Sequence, residues 1–250
     1  MNVARLPMQP DEYHKMAAVE DAMWYYRALH RHVARSLTRA LGASAAPVLD
    51  AGCGTGGLLR HLRVKQPAWV LTGLDFSPLA CALANERSGV EVVAGSITAL
   101  PFADAHFEAI VSCDVVCQVA SAELALQEFH RCLKPGGTLV LTMPAYPWMF
   151  SYHDRAVGNL RRYDRGEVNA LLRAAGFTVV TSTYWNTLLF PLAFVRRKLL
   201  PPAQSVSDVR SYPPLLEAFF NGLMALEQAW LSLGASLPFG NSVLTVARKS

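Results

Sequence analysis

The stretch Val48-Leu49-Asp50-Ala51-Gly52-Cys53-Gly54-Thr55-Gly56-Gly57 constrains this chain more than any other feature. An apolar stub ends in an acidic residue and breaks into alternating glycines, and Leu58-Leu59-Arg60 then begins a helical pattern. That is a strand, a tight turn and a helix N-terminus, with no side chains in the turn to keep a ligand off the backbone. Taken as glycines alone, Gly52, Gly54 and Gly57 also fit a dinucleotide-binding fingerprint. Asp50 separates the two readings. A carboxylate just before the first glycine repels a pyrophosphate and suits a ligand with an ammonium or sulfonium group.

The pattern downstream alternates as a βα domain should. Val70 to Phe76 reads as a second strand ending in Asp75, and Ser77-Pro78 supplies an N-cap with proline at the first helical position. Strands three and four fall at 90–94 and 109–116. Ser121 caps a helix running to Leu133, and the turn Lys134-Pro135-Gly136-Gly137 precedes a fifth strand from Thr138 to Met143. Asp164 and Glu167 predict a capping box for a helix that stops at Gly176. Strands at 177–184 and 242–247 complete the series. Two segments lie outside this rhythm: a helical stretch centred on Glu20 to Ala40, and a connection over 187–238 where a short hairpin would suffice.

Bulk properties narrow the class. A chain of 250 residues has room for one well-cored α/β domain. With 52% hydrophobic and 17% charged residues it is not a disordered chain. A net charge of +4 falls short of a nucleic-acid footprint, so no nucleic-acid partner is expected. Five scattered cysteines form no disulfide framework. Cys113 and Cys117 lack the second pair or nearby histidine that zinc needs, so no metal is expected. Met1 to Pro10 shows no apolar leader core, and Leu188 to Val195 is far too short to span a bilayer, so the expected location is cytoplasmic.

The glycine run closely resembles the first motif of class I S-adenosylmethionine (SAM) dependent methyltransferases. Further likenesses follow along the chain: Asp75, Leu100-Pro101-Phe102 with Phe107-Glu108, Leu133-Lys134-Pro135-Gly136-Gly137, and Gly240-Asn241-Ser242-Val243-Leu244. Together they resemble the type 11, ubiquinone-biosynthesis-like branch. The resemblance implies an α/β, doubly wound, seven-stranded and mostly parallel Rossmann-like sheet with its last strand antiparallel. It implies a helical N-terminal lid over 1–46, a SAM-binding domain over 47–186, a helical insertion over 187–238, and a final strand in 239–250. It also implies SAM as cofactor and S-adenosylhomocysteine as product. Glycines 52 and 54, with Cys53, would pack on the aminocarboxypropyl part and Asp50 would reach its ammonium. Asp75 would take the ribose hydroxyls, and Phe76 would lie against the adenine. The family often has Gly-Asp after strand three; here Gly95-Ser96 stands there, which leaves adenine recognition to Ser96 and the backbone near Ile97.

Several residues are candidates for the chemistry. Cys113 and Asp114 end strand four, in the crevice where open α/β sheets bind ligands, and Asp114 is a candidate base, cofactor contact or turn residue. Trp24-Tyr25-Tyr26-Arg27 reads either as an amphipathic helix burying its aromatics or as a lid with Arg27 pairing the cofactor's carboxylate. The segment 151–163 carries Tyr152, His153, Arg155, Arg161, Arg162 and Tyr163 on the acceptor side; His153 is the first candidate base and His106 the second. Between 215 and 233, Leu216, Phe219, Leu223, Leu226, Trp230 and Leu233 recur at helical spacing, and Leu215, Phe220, Met224 and Leu231 widen the stripe. That stripe suits the chain's own core, an acceptor pocket, a homodimer contact or a peripheral membrane surface, and the four readings stay open.

The expected activity is methyl transfer to a small, largely apolar acceptor, at oxygen in preference to nitrogen. Asp114-Val115-Val116-Cys117 stands where enzymes acting on nucleobase amino groups carry Asn/Asp-Pro-Pro-Tyr. The alternatives are a SAM-binding protein that does not methylate and an NAD-dependent oxidoreductase, which Asp50 and the strand-five turn disfavour.

Overall fold

A computed structural model describes residues 8–202 and 207–250. Residues 1–7, part of the stretch read for a leader, lie outside the described residues. The core is a seven-stranded sheet of β1 (Pro47–Ala51), β2 (Val70–Asp75), β3 (Glu91–Ala94), β4 (Phe107–Cys113), β5 (Leu133–Pro144), β6 (Phe177–Trp185) and β7 (Ser242–Lys249). Their order is β3-β2-β1-β4-β5-β7-β6, and β7 runs antiparallel to both neighbours while the rest are parallel. Strand alternation builds a core on each face. Leu49, Ile110, Leu139 and Leu141 join α5 (Ala122–Cys132) and α7 (Arg165–Ala174) on one side. Val48, Ala109, Val111 and Val140 meet α2 (Trp24–Leu41), α3 (Gly57–Lys65) and α9 (Pro214–Ser232) on the other. The remaining α-helices among the described residues are α1 (Pro10–Val19), α4 (Pro78–Ser88), α6 (Tyr152–Ala156) and α8 (Phe190–Phe194). All five cysteines are free thiols.

Three local expectations give way. The fifth strand starts at Leu133 and runs through the expected turn, where Gly136 at φ +74° and a register shift between Phe107 and Ala109 absorb the irregularity. The fourth strand stops at Cys113, because Asp114 takes φ +57° and turns the chain. Asp164 does occupy the N-cap of α7 but its side chain makes no capping bond, and Glu167 pairs with Arg161 instead. The capping box lies instead at Ser151 and Asp154, where the Asp154 carboxylate accepts from the Ser151 backbone at 2.9 Å.

The N-terminal segment is two helices, broken between Glu20 and Met23. The break places the buried Glu20 carboxylate against the start of α3. Its Oε2 accepts from Thr55 Oγ1 at 2.6 Å, from the Gly57 amide at 3.1 Å and from Arg87 Nη1 of α4 at 2.7 Å. A carboxylate at a helix N-terminus is favoured by the dipole and by the unpaired amides there. Gly57 has to be glycine, because a Cβ would occupy the space of the Glu20 carboxylate. Burial pushes the Glu20 carboxyl up, while Thr55 and Arg87 pull it back. Glu20→Ala would strand Arg87, Thr55 and the Gly57 amide. The expected cost is about 2–4 kcal/mol, read as a lower urea midpoint.

Candidate functional site

The switch in strand order between β1 and β4 opens a crevice at the carboxyl ends of the strands, where such sheets hold ligands. It widens into a cavity of about 900 Å³ that runs from the glycine turn to the helices of the insertion. Asp50, Gly52, Cys53, Gly54, Asp75, Phe76, Ile97, Cys113 and Asp114 all line it, so the structure brings these sequence candidates together.

The turn is preshaped by Asp75. Its Oδ2 accepts from the Gly54 amide at 2.9 Å and its Oδ1 from the Ser77 amide at 2.9 Å, which fixes the carboxylate at the end of β2. Gly54 adopts φ +54°, and a Cβ there would meet Met16 Cε at 2.8 Å, so helix α1 lies directly on the turn. Asp50 is buried in the floor, and its Oδ2 has no hydrogen-bond partner among the described residues. Burial, reinforced by Glu20 and Asp75, pushes its carboxyl up to about 8. An orphaned carboxylate oxygen in a floor of like charge fits a cationic ligand. These residues fit SAM, for which Asp50 would face the ammonium and Asp75 the ribose, with the glycine backbone between them. Burial likewise keeps Cys53 and Cys113 as neutral thiols.

Ser96 does not line the cavity. The Ser96 hydroxyl bonds Thr98 Oγ1 at 2.8 Å and accepts from the Thr98 amide at 3.2 Å, closing its own turn, and only its neighbours Gly95 and Ile97 face the cavity. Arg27 also misses the site. It is exposed and lines a separate depression with Asp21, Arg31, Arg60 and His61, because the helix turns its opposite face inward. That inward face carries Trp24, Tyr25, Tyr26 and His30. The Tyr25 hydroxyl donates to Asp114 Oδ2 at 2.6 Å, and Thr142 Oγ1 donates to Asp114 Oδ1 at 3.1 Å. Tyr25 also stacks on Trp185, with ring centroids 5.2 Å apart. Burial pushes the Asp114 carboxyl up, against both hydrogen bonds. Asp114 thus ties the N-terminal helices to the sheet.

On the far side, the structure sorts the 151–163 candidates. Arg162 is buried and lines the cavity, with Nε on Asp154 Oδ1 at 2.8 Å and Nη1 donating to the Ala145 carbonyl at 3.0 Å. Arg161 points outward to Glu167 and over the Tyr163 ring. Tyr163 itself packs in the core, and the Tyr152 hydroxyl donates to Asp208 at 2.8 Å; neither lines the cavity. His153 does line it, but not as a base. Its Nδ1 accepts from the Asp208 amide at 3.1 Å, so the neutral ring carries its proton on Nε2 and offers a donor. Burial, with the nearby Arg197 cation, pushes its pKa down to about 3. His106, the second candidate, lies outside the cavity.

Sequence reasoning missed Glu20, Glu12, Tyr13 and Met16 of the covering helices, and Arg197 with Asp208 in the insertion. Arg196 and Arg197 each place Nε 2.8 Å from an Asp208 oxygen. No local motif marks these residues, because their partners lie far away in the chain. No group of His, Cys, Asp or Glu able to hold a metal occurs among the described residues.

Two outcomes follow from this geometry. Asp75→Ala should weaken SAM binding about 10–100-fold by calorimetry, through loss of a charged acceptor and of the turn it holds. A raised carboxyl stabilises the ligand-free fold fully only below its ordinary range near 3.8, and that stability is lost as the pH rises through about 8. Asp50→Asn should therefore flatten the decline in thermal stability across that window, while weakening SAM binding.

Comparisons with known proteins agree with the site. Residues 49–141 match the methyltransferase domain family. The chain is 40% identical over 109 residues to a malonyl-[acyl-carrier protein] O-methyltransferase of Erwinia pyrifoliae, covering 43% of this chain and 41% of the relative. It is 35% identical over 112 residues to a demethylmenaquinone methyltransferase of Thermus thermophilus, covering 43% and 51%. The chain thus spans about half the length of the curated relatives it matches. Its fold is like that of a geranyl diphosphate C-methyltransferase from Streptomyces coelicolor, solved with Mg²⁺, geranyl diphosphate and S-adenosylhomocysteine (TM-score 0.61, 18% identity, 90% of this chain and 81% of that one). The glycine turn, the acidic ends of the first two strands and the match over residues 49–141 all fall on the same part of the sheet, and there the chain is similar to SAM-dependent methyltransferases.

Proposed function

We propose that the protein transfers the methyl group of SAM to an acidic oxygen on a small, largely apolar acceptor. The observation that carries this reading is the continuity of one cavity. Its acidic floor (Asp50, Asp75, Glu20) suits a cation, and its far wall combines apolar Leu189, Leu192, Leu216 and Phe220 with the cations Arg162, Arg196, Arg197 and Arg210. A wall of that charge stabilises an anionic oxygen and so favours oxygen over nitrogen as the nucleophile. The relatives named as O-methyltransferases support the same choice.

When bound, SAM supplies an electrophilic methyl group on a sulfonium. The chain's own residues do the rest. Asp75 and the glycine backbone hold one end of the ligand, and Met16, Tyr26 and Leu29 of the N-terminal helices help to exclude water. The Asp114–Tyr25 bond fixes the wall between the two halves. His153 presents an Nε2–H, and Arg197 a charge, toward the acceptor half. With Asp114 doubly hydrogen-bonded and His153 a donor, neither candidate base takes a proton. Catalysis then rests on alignment of an acceptor that arrives ionised.

The test is to incubate the protein with SAM and a panel of apolar carboxylic acids and phenols, and to follow S-adenosylhomocysteine release. Turnover of acidic oxygens with apolar tails supports the reading; tight SAM binding without any transfer favours the non-methylating alternative. With a turned-over acceptor, kcat/KM should track the acceptor's own ionisation. His153→Gln, which keeps a donor, should stay within about fivefold of the native rate, whereas loss of a general base would cost about 10²–10⁴-fold.

A further inference from the structure

The segment between β6 and β7 presents an outer surface that meets the site only at the cavity mouth. Of α9, Phe220 and Met224 are buried against the N-terminal helix α2, where the Phe220 and Trp24 ring centroids lie 5.5 Å apart. The opposite face is just as apolar and lies open: Leu215, Phe219, Leu226, Trp230 and Leu233 are 56–85% exposed. They recur in one stripe along the helix. A helix apolar on both faces is ordinarily buried on both. Leu188, Leu192, Leu199 and Leu200 of the segment after β6, and Trp148, are exposed as well.

Within 187–239 the outward charge is of one sign. The acidic residues of 187–239 are all turned inward. Glu227 is buried and accepts from the Thr187 amide at 2.8 Å and from the Asn186 and Leu188 amides. Glu217 accepts from the Trp24 amide at 2.7 Å, and Asp208 is held by Arg196, Arg197 and Tyr152. The exposed charges of the segment are Lys198 and Arg210, with Arg196 half-buried. Arg39 of α2 adds a cation at the far end, donating to the Ser232 carbonyl at 3.1 Å. Leu192, Val195, Leu200 and Leu216 belong both to this exposed surface and to the cavity wall, so the apolar face continues into the cavity mouth.

We infer that this face docks on an anionic lipid bilayer. Apolar and aromatic side chains flanked by Lys and Arg, with no outward acid, match the boundary between acyl chains and acidic headgroups. A second copy of the chain fits less well, because a two-fold contact would set the same cations against each other. No helix among the described residues is long and apolar enough to cross a membrane, so α9 would lie in the interface. The cavity mouth would then open onto the acyl layer and give an apolar acceptor a path that avoids water. The docking itself does not depend on the methyl-transfer reading, and it is measured without SAM or acceptor.

The full chain should sediment with vesicles of phosphatidylcholine containing phosphatidylglycerol and much less with phosphatidylcholine alone. Leu226→Glu combined with Trp230→Glu should lower that partitioning more than about tenfold, since each side chain forfeits its burial in the bilayer. Both positions are exposed, so the urea midpoint should not move. A charge-only variant, Lys198→Gln with Arg210→Gln, should weaken binding to the acidic vesicles alone. No vesicle binding by the native chain, or binding that the paired glutamates leave intact, overturns the inference. So does equal binding to neutral vesicles, or a native dimer that ignores vesicles and falls apart in the glutamate variant.

Discussion

The site depends on a single buried carboxylate. Glu20 sits where the glycine turn becomes a helix and joins three elements, the break between α1 and α2, the N-terminus of α3 and Arg87 of α4. The turn alone is an open ledge. With Glu20 in place, the first helix is laid across it, so that Met16 covers Gly54 and the tyrosines of the second helix reach the cavity. Arg87 also donates to the Thr55 carbonyl at 2.6 Å, so one guanidinium fixes both the Glu20 carboxylate and the turn's backbone.

Glu20 also sets the electrostatics of the cavity floor. It raises the cost of ionising Asp50, whose carboxyl is already desolvated, and Asp75 adds to the same effect. Such a floor resists a second anion and rewards a cation, which is the opposite of a pyrophosphate site on the same fold. One fold can serve two ligand classes because the backbone supplies only shape and amide donors. The acids at the strand ends then decide which charge is accepted.

What was legible in the sequence follows from the range of the interactions. The strands, their order of appearance and the glycine turn are written in local alternation, in Ser77-Pro78 and in Asp50 and Asp75, each within a few residues of its structural consequence. Strand ends were less legible, because Asp114 leaves its strand in a left-handed conformation sustained by bonds to Tyr25 and Thr142 far away in the chain. The same holds for the cofactor side. Arg27 sits beside the aromatics in sequence but on the other face of the helix, while Glu20 is joined to the turn by a helix break that no residue in 20–23 announces. Ser96 matched a motif position, yet its hydroxyl is used up by the turn two residues on.

The acceptor side was illegible for a further reason: its polar residues are organised by Asp208, which lies in the insertion and has no motif of its own. Asp208 binds Tyr152, Arg196 and Arg197 through its carboxylate, and its amide sets the His153 tautomer. Burial alone would raise the Asp208 carboxyl; Arg197 and its other partners hold it well below the ordinary range. The same bonds keep the two arginines in place. A loop with three arginines, two tyrosines and a histidine reads as one recognition patch. The structure divides it into a buried ion pair at Arg162, an outward pair at Arg161 and a histidine whose ring nitrogen is already taken. The polar groups on the far wall of the cavity are thus placed by the long connection between β6 and β7, whose partners lie far away in the chain.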